Sequence, residues 1–496
     1  MTKKKKRTWL LTPKKLKNEL EAIGESCNKK EIIATGAALF GIGLLLMKLF
    51  ALKIIFFVPI ALCLLYVFPF VILNAKKRKY EKNRFQNAAS YLSHMNQSFQ
   101  DTKSILTSLK ETERKYRDGK MRNTLRAAID HIQKSKNVRL GEQEALQMIE
   151  AEYDCRKMRT FHDFIVKAEA HGGECSKELK LLEKIKNEWV LAVENGYRTF
   201  CSNIYLMYFE AVILLIICAF IQQRFPGEFS VYRMGVVQIA NTLLICLFIF
   251  LFKFFDRRSA KSLLADAKTM AEEEVEKGYA AIEKLDIKNN LKRGLPYGLI
   301  FIVLFGVLFF FTKSKAVLAI GLVIILIVSN IYNISYFAFY AQIKSELAAG
   351  VPEWVFDVVL LLQRENVQVA ILKSIDNAPP VLKHELYSLQ QKIIDAPADP
   401  NSYLTFLDRF EIDGVEDAMR TLYSISQGTG SAQNIGTIAE TNMRMLSEAE
   451  KRRIERDNAF STVYIYFPIL PCVFVLLVYG GALLYNVFTT VMSLLS

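Results

Sequence analysis

Residues 54–79 read IIFFVPIALCLLYVFPFVILNAKKRK, a long apolar run that ends in a cluster of basic side chains. About 20 apolar residues suffice to cross the hydrocarbon core of a bilayer as a helix. Basic side chains just beyond a span mark its cytoplasmic end. The stretch therefore predicts a transmembrane helix that enters the cytoplasm at Lys76, Lys77, Arg78 and Lys79.

Six further apolar runs accompany this one. The seven predicted spans lie at 32–47, 54–74, 204–221, 236–252, 296–312, 316–337 and 463–488. Six or eight spans stay open, because the last run is long and contains Pro468, Pro471 and the Gly480–Gly481 pair. The chain has 496 residues, of which 52% are hydrophobic and 23% charged, so long charged stretches separate the spans. This composition excludes a disordered chain and a purely soluble protein, and predicts a multi-pass membrane protein with large water-exposed parts.

The basic residues set the predicted orientation. They concentrate in residues 1–30 and beside the spans at 76–84, 253–261, 288–293 and 451–456, whereas the opposite loops hold few. We therefore place the N-terminus in the cytoplasm, as an anchor and not a cleaved signal peptide. The net charge of +14 is explained by this topology, and we predict no nucleic-acid partner. The predicted location is the inner (cytoplasmic) membrane.

This topology divides the chain into eight segments. They are a basic cytoplasmic N-terminus (1–31), two transmembrane helices (32–74), a first cytoplasmic helical bundle (75–203), two transmembrane helices (204–252), a charged helical cytoplasmic linker (253–295), two transmembrane helices (296–337), a second cytoplasmic helical bundle (338–461) and a C-terminal transmembrane helix (462–496).

Both bundles show helical periodicity and no strand alternation. In the first, Phe85, Leu92, Phe99 and Leu106 recur every seven residues, with Met95 and Leu109 beside them, which predicts one apolar stripe on one helix. The second opens at 351–366 with Pro352 near a predicted helix start, and continues through helices such as 403–410. Glycine breaks follow a helix in each bundle, at Gly172–Gly173 and at Gly428–Gly430, and glycine tolerates the left-handed backbone that ends a helix.

The two bundles also resemble each other in helical pattern. The paired segments are 101–111 with 366–376, 121–132 with 382–393, 144–154 with 402–413, and 161–173 with 418–430. We predict an internal repeat. Charge separates the copies, because 76–203 carries 26 basic and 18 acidic residues, whereas 341–457 carries 12 basic and 18 acidic. Either the topology rule alone explains the difference, or the bundles dock on each other or on differently charged faces of one partner.

The sequence contains few groups with recognisable chemistry. It has no phosphate-binding GxxxxGK[ST] loop, no HExxH and no GxSxG, and its eight cysteines form no CxxC. We predict no catalytic residue, no cofactor and no metal site. The acidic clusters around Glu152 and Asp413 are more typical of solvated helix faces than of a cation site. Glu210 is the clear charged residue inside a span, and it marks the one candidate position for a transport path.

A cytoplasmic bundle flanked by spans, with FIVKAEAHGG (164–173) leading through another helix into an apolar run, resembles the type II secretion system F domain family. This family comprises inner-membrane platform proteins of type II secretion and type IV pili, including the TadB and TadC proteins of tight-adherence pili. The resemblance covers roughly 54–221 and again 316–488, so the chain looks like a fusion or duplication. Its second copy has GTG at 428–430 where the family pattern has a Gly-Gly break after an A-E-x sequence.

The resemblance implies a non-enzymatic assembly platform. A hexameric cytoplasmic secretion ATPase would engage the bundles, and the spans would help to lift pilin subunits into a filament, with other platform chains and membrane lipid as further partners. Motion of the ATPase would be passed to the spans at two kinds of position. These are the helix breaks at Gly172, Gly173, Gly428 and Gly430, and the basic cluster at 76–79 where the second span enters the cytoplasm. Two other hypotheses stay open, namely a multi-pass transporter or channel, and a membrane enzyme or signalling protein with an unrecognised site.

Overall fold

The computed structural model describes residues 13–25, 28–171, 176–224, 231–264, 270–283, 287–312, 321–428 (except 323, 324, 327, 363, 364 and 377), isolated positions between 438 and 455, and 461–495. All regular structure in these residues is helical, which confirms the predicted all-α fold.

Seventeen α-helices have described bounds, and we number them in chain order. They are α1 (Pro13–Ala22), α2 (Lys29–Leu49), α3 (Ile54–Thr102), α4 (Ile105–Lys115), α5 (Lys120–Lys134), α6 (Val138–Glu152), α7 (Arg156–His171), α8 (Ser176–Gln223), α9 (Gly235–Ser259), α10 (Glu272–Glu283), α11 (Ile287–Thr312), α12 (Ile331–Leu361), α13 (Val367–Ser374), α14 (Pro380–Asp395), α15 (Asn401–Leu404), α16 (Val415–Ser426) and α17 (Ile469–Leu495).

The chain divides into two compact units. The first comprises Met1–Asp266 with Arg453–Ser496, and the second comprises Ala267–Arg452. We call residues 75–203 the first lobe and residues 338–461 the second lobe, after the predicted bundles. The first lobe belongs to the first unit, and nearly all of the second lobe belongs to the second unit.

Among the residues that the structure describes, five helical segments are long and apolar enough to cross a membrane. They are α2, α3, α8, α9 and Ser461–Met492, which contains α17. No more than 39% of the most apolar window of any of them is buried, so their outer surfaces expose many large apolar side chains. Exposed apolar surface of this extent indicates a membrane protein. The predicted span at 316–337 includes residues outside the described part, so the count of seven stays a prediction.

Two helices continue from the apolar region into the first lobe without a break. Helix α3 has 49 residues and α8 has 48, and each runs through the predicted boundary between span and bundle. At 1.5 Å per residue, each measures about 70 Å, more than twice the thickness of the hydrocarbon core. The first lobe is therefore joined to the apolar helices by two rigid helical connections.

The core of the first lobe forms where α3 and α8 meet the shorter helices α4–α7. Phe85, Leu92, Met95 and Phe99 are buried along one face of α3, as the periodicity predicts. The prediction that Leu106 and Leu109 lie on the same helix as Phe99 is wrong. Helix α3 ends at Thr102, and Lys103 adopts a left-handed backbone with φ of 51° and closes the helix with a hydrogen bond to the Phe99 carbonyl. Leu106 and Leu109 therefore lie on α4.

The second lobe has its own core, which includes Trp354, Leu386, Tyr403 and Phe410. Two local predictions are wrong here. Pro352 does not begin a helix, because α12 continues through it and buries apolar side chains on both sides, which compensates for the lost backbone donor. The segment 403–410 is not one helix, since left-handed backbone at Leu407 (φ 60°) interrupts it and brings both Leu407 and Phe410 into the core.

Candidate functional site: a basic cleft beside the apolar helices

Arg78, one of the predicted juxtamembrane cations, joins α3 to the end of α9. Its guanidinium forms an ion pair with Asp256 and donates a hydrogen bond to Ser259 Oγ at 3.0 Å. Asp256 is only 4% exposed and also accepts a hydrogen bond from Asn74 Nδ2 at 2.7 Å. A buried carboxylate needs such partners, so this contact fixes α3 against α9 at the end of the span.

An open cleft of about 1220 Å³ lies beside this ion pair, between α3, α8 and α9. Its lining changes in character along the helices. At one end it is apolar and aromatic, with Val71, Tyr205, Leu206, Phe209 and Phe252. At the other end it is charged, with Lys79, Lys82, Glu194 and Arg198. The cleft therefore passes from the apolar part of α3 and α8 into their polar part.

The cations at the polar end have no neutralising partner in the described part of the chain. Lys79, Lys82 and Arg198 are exposed, and none of them forms an ion pair or hydrogen bond there. Glu194 is the one acidic side chain beside them, because the other carboxylate of the lining, Asp256, already pairs with Arg78. An excess of positive charge thus faces the cleft.

The predicted basic cluster at 76–79 is divided by the structure. Arg78 and Lys79 line the cleft, whereas Lys76 points to the N-terminal region and pairs with Glu25 at 3.7 Å and Glu31 at 3.0 Å. Lys77 is exposed and does not line the cleft. The sequence shows that these cations are neighbours along the chain, but only the folded helices show which of them line the same cleft.

Two titratable side chains in the wall of the cleft stay neutral near pH 7. Burial raises the pKa of the Cys201 thiol, and burial also raises the pKa of Tyr197, which hydrogen-bonds with it. The chemistry that the cleft offers is therefore electrostatic and hydrophobic. It can hold an anionic group at its basic end and apolar material at its aromatic end.

The other predicted site residues lie elsewhere. Glu210 is half-buried on α8, and its Oε2 atom is buried without a hydrogen-bond partner among described residues. Gly428 follows α16 and has a φ of 76°, in the left-handed region. Gly172, Gly173 and Gly430 lie outside the described residues.

A buried polar network between the apolar helices was not predicted. Asn241 on α9 donates a hydrogen bond to Gln222 Oε1 on α8 at 2.8 Å and accepts one from the Tyr479 hydroxyl on α17. All three side chains are at most 1% exposed. Polar groups buried between apolar helices hold these helices together by such bonds. The sequence contained a signal for this network, because Gln222 borders a predicted span and Asn241 and Tyr479 lie within predicted spans.

His162 lies in a buried network of the first lobe. Its Nδ1 contacts Glu150 Oε1 at 2.7 Å, and its Nε2 contacts the Tyr91 hydroxyl at 2.9 Å. Within the described ranges, no group of three or more His, Cys, Asp or Glu side chains is placed to hold a metal ion.

Comparison with known proteins gives no relative for this chain. No family model, no curated protein and no solved structure matches it significantly.

Proposed function

We propose that this chain is a non-enzymatic membrane platform, which couples a cytoplasmic secretion ATPase to the assembly of pilin subunits in a type IV pilus or type II secretion machine of the tight-adherence kind. The observation that supports the proposal is that several helices of the two all-helical lobes bury side chains at the same spacing. A duplicated lobe on a base of apolar helices is the architecture that the family resemblance implies.

The long helices support the duplication. Counted back from the last helical residue, α3 and α12 share six buried positions, although Phe356, buried in α12, pairs with exposed Gln97 in α3. These are Ala88, Tyr91, Leu92, Met95, Asn96 and Phe99 in α3, and Leu347, Gly350, Val351, Trp354, Val355 and Val358 in α12. Each long helix thus presents one matching face to the core of its own lobe.

Three of the four shorter helices that follow in the first lobe have counterparts with the same spacing of buried residues, whereas α6 has 15 residues and its counterpart α15 has 4. The pairs are Ile105, Ser108, Leu109 and Thr112 of α4 with Val367, Ala370, Ile371 and Ser374 of α13; Met121, Leu125, Ala128 and Ile132 of α5 with Leu382, Leu386, Leu389 and Ile393 of α14; and Met158, Phe161, His162 and Ile165 of α7 with Val415, Ala418, Met419 and Leu422 of α16. These matches follow the same order along the chain in both lobes, which supports the proposed duplication.

One contact between helices has a counterpart in each lobe. The Thr112 hydroxyl donates to Met95 Sδ at 3.8 Å in the first lobe. At the paired positions of the second lobe, Trp354 Nε1 donates to Ser374 Oγ at 2.7 Å. Both contacts join the long helix to the short helix that follows it. We therefore treat the lobes as two copies of one unit, connected to the apolar helices so that motion of a lobe is passed on.

Site-specific crosslinking in the full-length chain tests the proposal. A photoreactive residue is placed at Arg126 on the exposed face of the first lobe, at Tyr387 on that of the second, or at Leu45 on the apolar surface of α2. We expect secretion ATPase to be crosslinked from Arg126, from Tyr387 or from both. The control at Leu45 should not capture it. ATPase captured from none of the three positions, in cells that assemble pili, contradicts the proposal.

A transporter or channel is the alternative, and the unpartnered oxygen of Glu210 is the observation that favours it. The alternative expects ion or solute flux in liposomes that contain the purified chain, and loss of this flux in Glu210→Gln. The platform proposal expects no flux from either protein. A flux that Glu210→Gln abolishes replaces the platform proposal with the alternative.

A further inference from the structure

We propose that the cleft between α3, α8 and α9 binds an anionic membrane lipid, with the phosphate group among Lys79, Lys82 and Arg198 and the acyl chains on Tyr205, Leu206 and Phe209. This inference does not depend on the proposed function, because it concerns only the chemistry of the cleft.

The charged end of the cleft fits a phosphate. Lys79 and Lys82 are one helical turn apart on α3, and Arg198 reaches the same end from α8, so cations approach from two walls. Arg78 is neutralised by Asp256, whereas these three cations have no ion-pair partner in the described residues. Basic pockets between transmembrane helices, at the level of the headgroups, are typical sites for anionic lipids.

The apolar end of the cleft fits acyl chains. Tyr205, Leu206 and Phe209 are 70%, 51% and 66% exposed, although they belong to an apolar helix. From Arg198 to Phe209 the wall of α8 extends about 16 Å along the helix axis, at 1.5 Å per residue. This length is about half of the hydrocarbon core, which is one lipid leaflet. A molecule with one anionic end and one apolar end matches the cleft, whereas a free phosphate would use only the basic end.

The topology rule explains basic residues beside a span, but it does not explain their position within the cleft. Lys77 obeys the rule equally and does not line the cleft. Arg198 lies on another helix, more than a turn before the predicted third span, and still faces the same cleft as Lys82. Lys77 therefore provides a matched control for the loss of one positive charge at the same membrane border.

The test titrates the purified full-length chain in nonionic micelles with fluorescent phosphatidylglycerol and with phosphatidylcholine of the same acyl chains. We expect tighter binding of phosphatidylglycerol. Lys82→Gln and Arg198→Gln should each weaken it about fivefold, the effect of one cation near an anionic lipid surface. Lys77→Gln should change it less than twofold. Equal loss in Lys77→Gln, or equal binding of the two lipids, overturns the proposal.

Two further measurements separate the sources of the phosphate. Phe209→Ala should weaken phosphatidylglycerol binding severalfold, because it removes apolar contact surface from the cleft. Glycerol phosphate should displace the lipid only at far higher concentration than phosphatidylglycerol itself. Displacement at similar concentration identifies a site for free phosphate esters and overturns the lipid assignment. Unfolding temperatures of all variants within about 2 °C of the unmodified chain confirm that the comparison concerns binding.

Discussion

At the scale of single residues, the first lobe contains a buried polar network where the second lobe is apolar. Tyr91 is fully buried, and burial raises its pKa well above the ordinary value, so its hydroxyl keeps its proton and hydrogen-bonds with His162 Nε2 at 2.9 Å. The paired positions of the second lobe are Gly350 and Met419, which have no polar side chain. The contributions of Tyr91 and His162 to the stability of the first lobe are therefore coupled.

We expect His162→Met to lower the free energy of unfolding by about 1–3 kcal/mol, because it leaves a buried hydroxyl without a partner. Combining it with Tyr91→Phe should restore part of that loss, because both polar partners are then replaced by apolar groups. Thermal unfolding in micelles compares the unmodified chain, the two single variants and the double variant, which together form a double-mutant cycle. Strictly additive losses would contradict the coupling.

Glu142 and Glu169 form a second polar contact in the first lobe, between α6 and α7. Glu142 is 8% exposed, and burial together with the neighbouring charge of Glu169 raises its pKa to about 7. Glu169 Oε1 accepts the backbone N–H of Ile105, while its Oε2 is buried without a described donor. A proton on Glu142 supplies that donor, so the protonated form of Glu142 suits the fold.

This raised pKa gives stability a definite dependence on pH. A carboxyl with a higher pKa when folded stabilises the fold fully below its unfolded pKa of about 4.5, and the contribution is lost as the pH rises to about 7. The loss is about 3 kcal/mol at most. We expect Glu142→Gln to lose less stability than the unmodified chain between pH 5 and pH 8.

Thermal unfolding at several pH values in that range measures this prediction. Asp130→Asn is the control, because Asp130 is an exposed carboxylate of α5 in the same lobe. Its curve should run parallel to that of the unmodified chain. If the Glu142→Gln curve is parallel as well, the proton that Glu142 donates to Glu169 does not contribute to stability.

At the scale of elements, a close approach of backbones holds α11 against the chain before α12. A Cβ atom added to Gly294 would lie 2.0 Å from the backbone oxygen of Ser329, and one added to Gly298 would lie 2.2 Å from Ser329 Oγ. The two glycines form a GxxxG spacing, which lets apolar helices pack at short distance. The sequence held this pattern, but the contact became evident only from the packing.

We expect Gly294→Ala to destabilise the second unit by at least 1–3 kcal/mol, the usual cost of overpacking, because backbone cannot move aside as a side chain can. Gly41→Ala on α2 is the control, since no atom lies within 4 Å of an added Cβ there. Thermal unfolding in micelles compares the two. A Gly294→Ala protein as stable as Gly41→Ala would show that the helices do not pack this closely.

Periodicity and hydropathy predicted most helices, because those signals are local. They failed where distant contacts decide the backbone, as at Lys103, where α3 ends before Leu106, and at Pro352, which α12 includes. The cleft was beyond prediction for the same reason. Arg78 and Asp256 are 178 residues apart in sequence, and no local pattern indicates that α8 places Arg198 beside them.

At the scale of the whole molecule, the structure leaves one question about the topology of the first unit, namely which side of the membrane carries the first lobe. The turn between α2 and α3 meets the end of α8 and the start of α9, because Gln223 Nε2 donates to the Leu49 carbonyl at 2.7 Å and Gln238 Oε1 accepts the Lys53 amide at 3.1 Å. Arg78, in the middle of α3 where the first lobe begins, meets Asp256 near the opposite end of α9. The first lobe therefore lies at one end of the apolar helices, and the short connections between these helices lie at the other end.

Cysteine labelling decides this choice, and it also decides whether the number of spans between the two lobes is even or odd. In a cysteine-free chain, we expect a membrane-impermeant maleimide to label Arg233→Cys in intact spheroplasts, and Arg126→Cys only in inverted vesicles. Tyr387→Cys in the second lobe should follow Arg126→Cys, because an even number of spans between the lobes returns the chain to the same side. Labelling of Tyr387→Cys from the outside means an odd number of crossings between 204 and 337. That result removes the second lobe from the cytoplasm, and with it any contact of that lobe with a cytoplasmic ATPase.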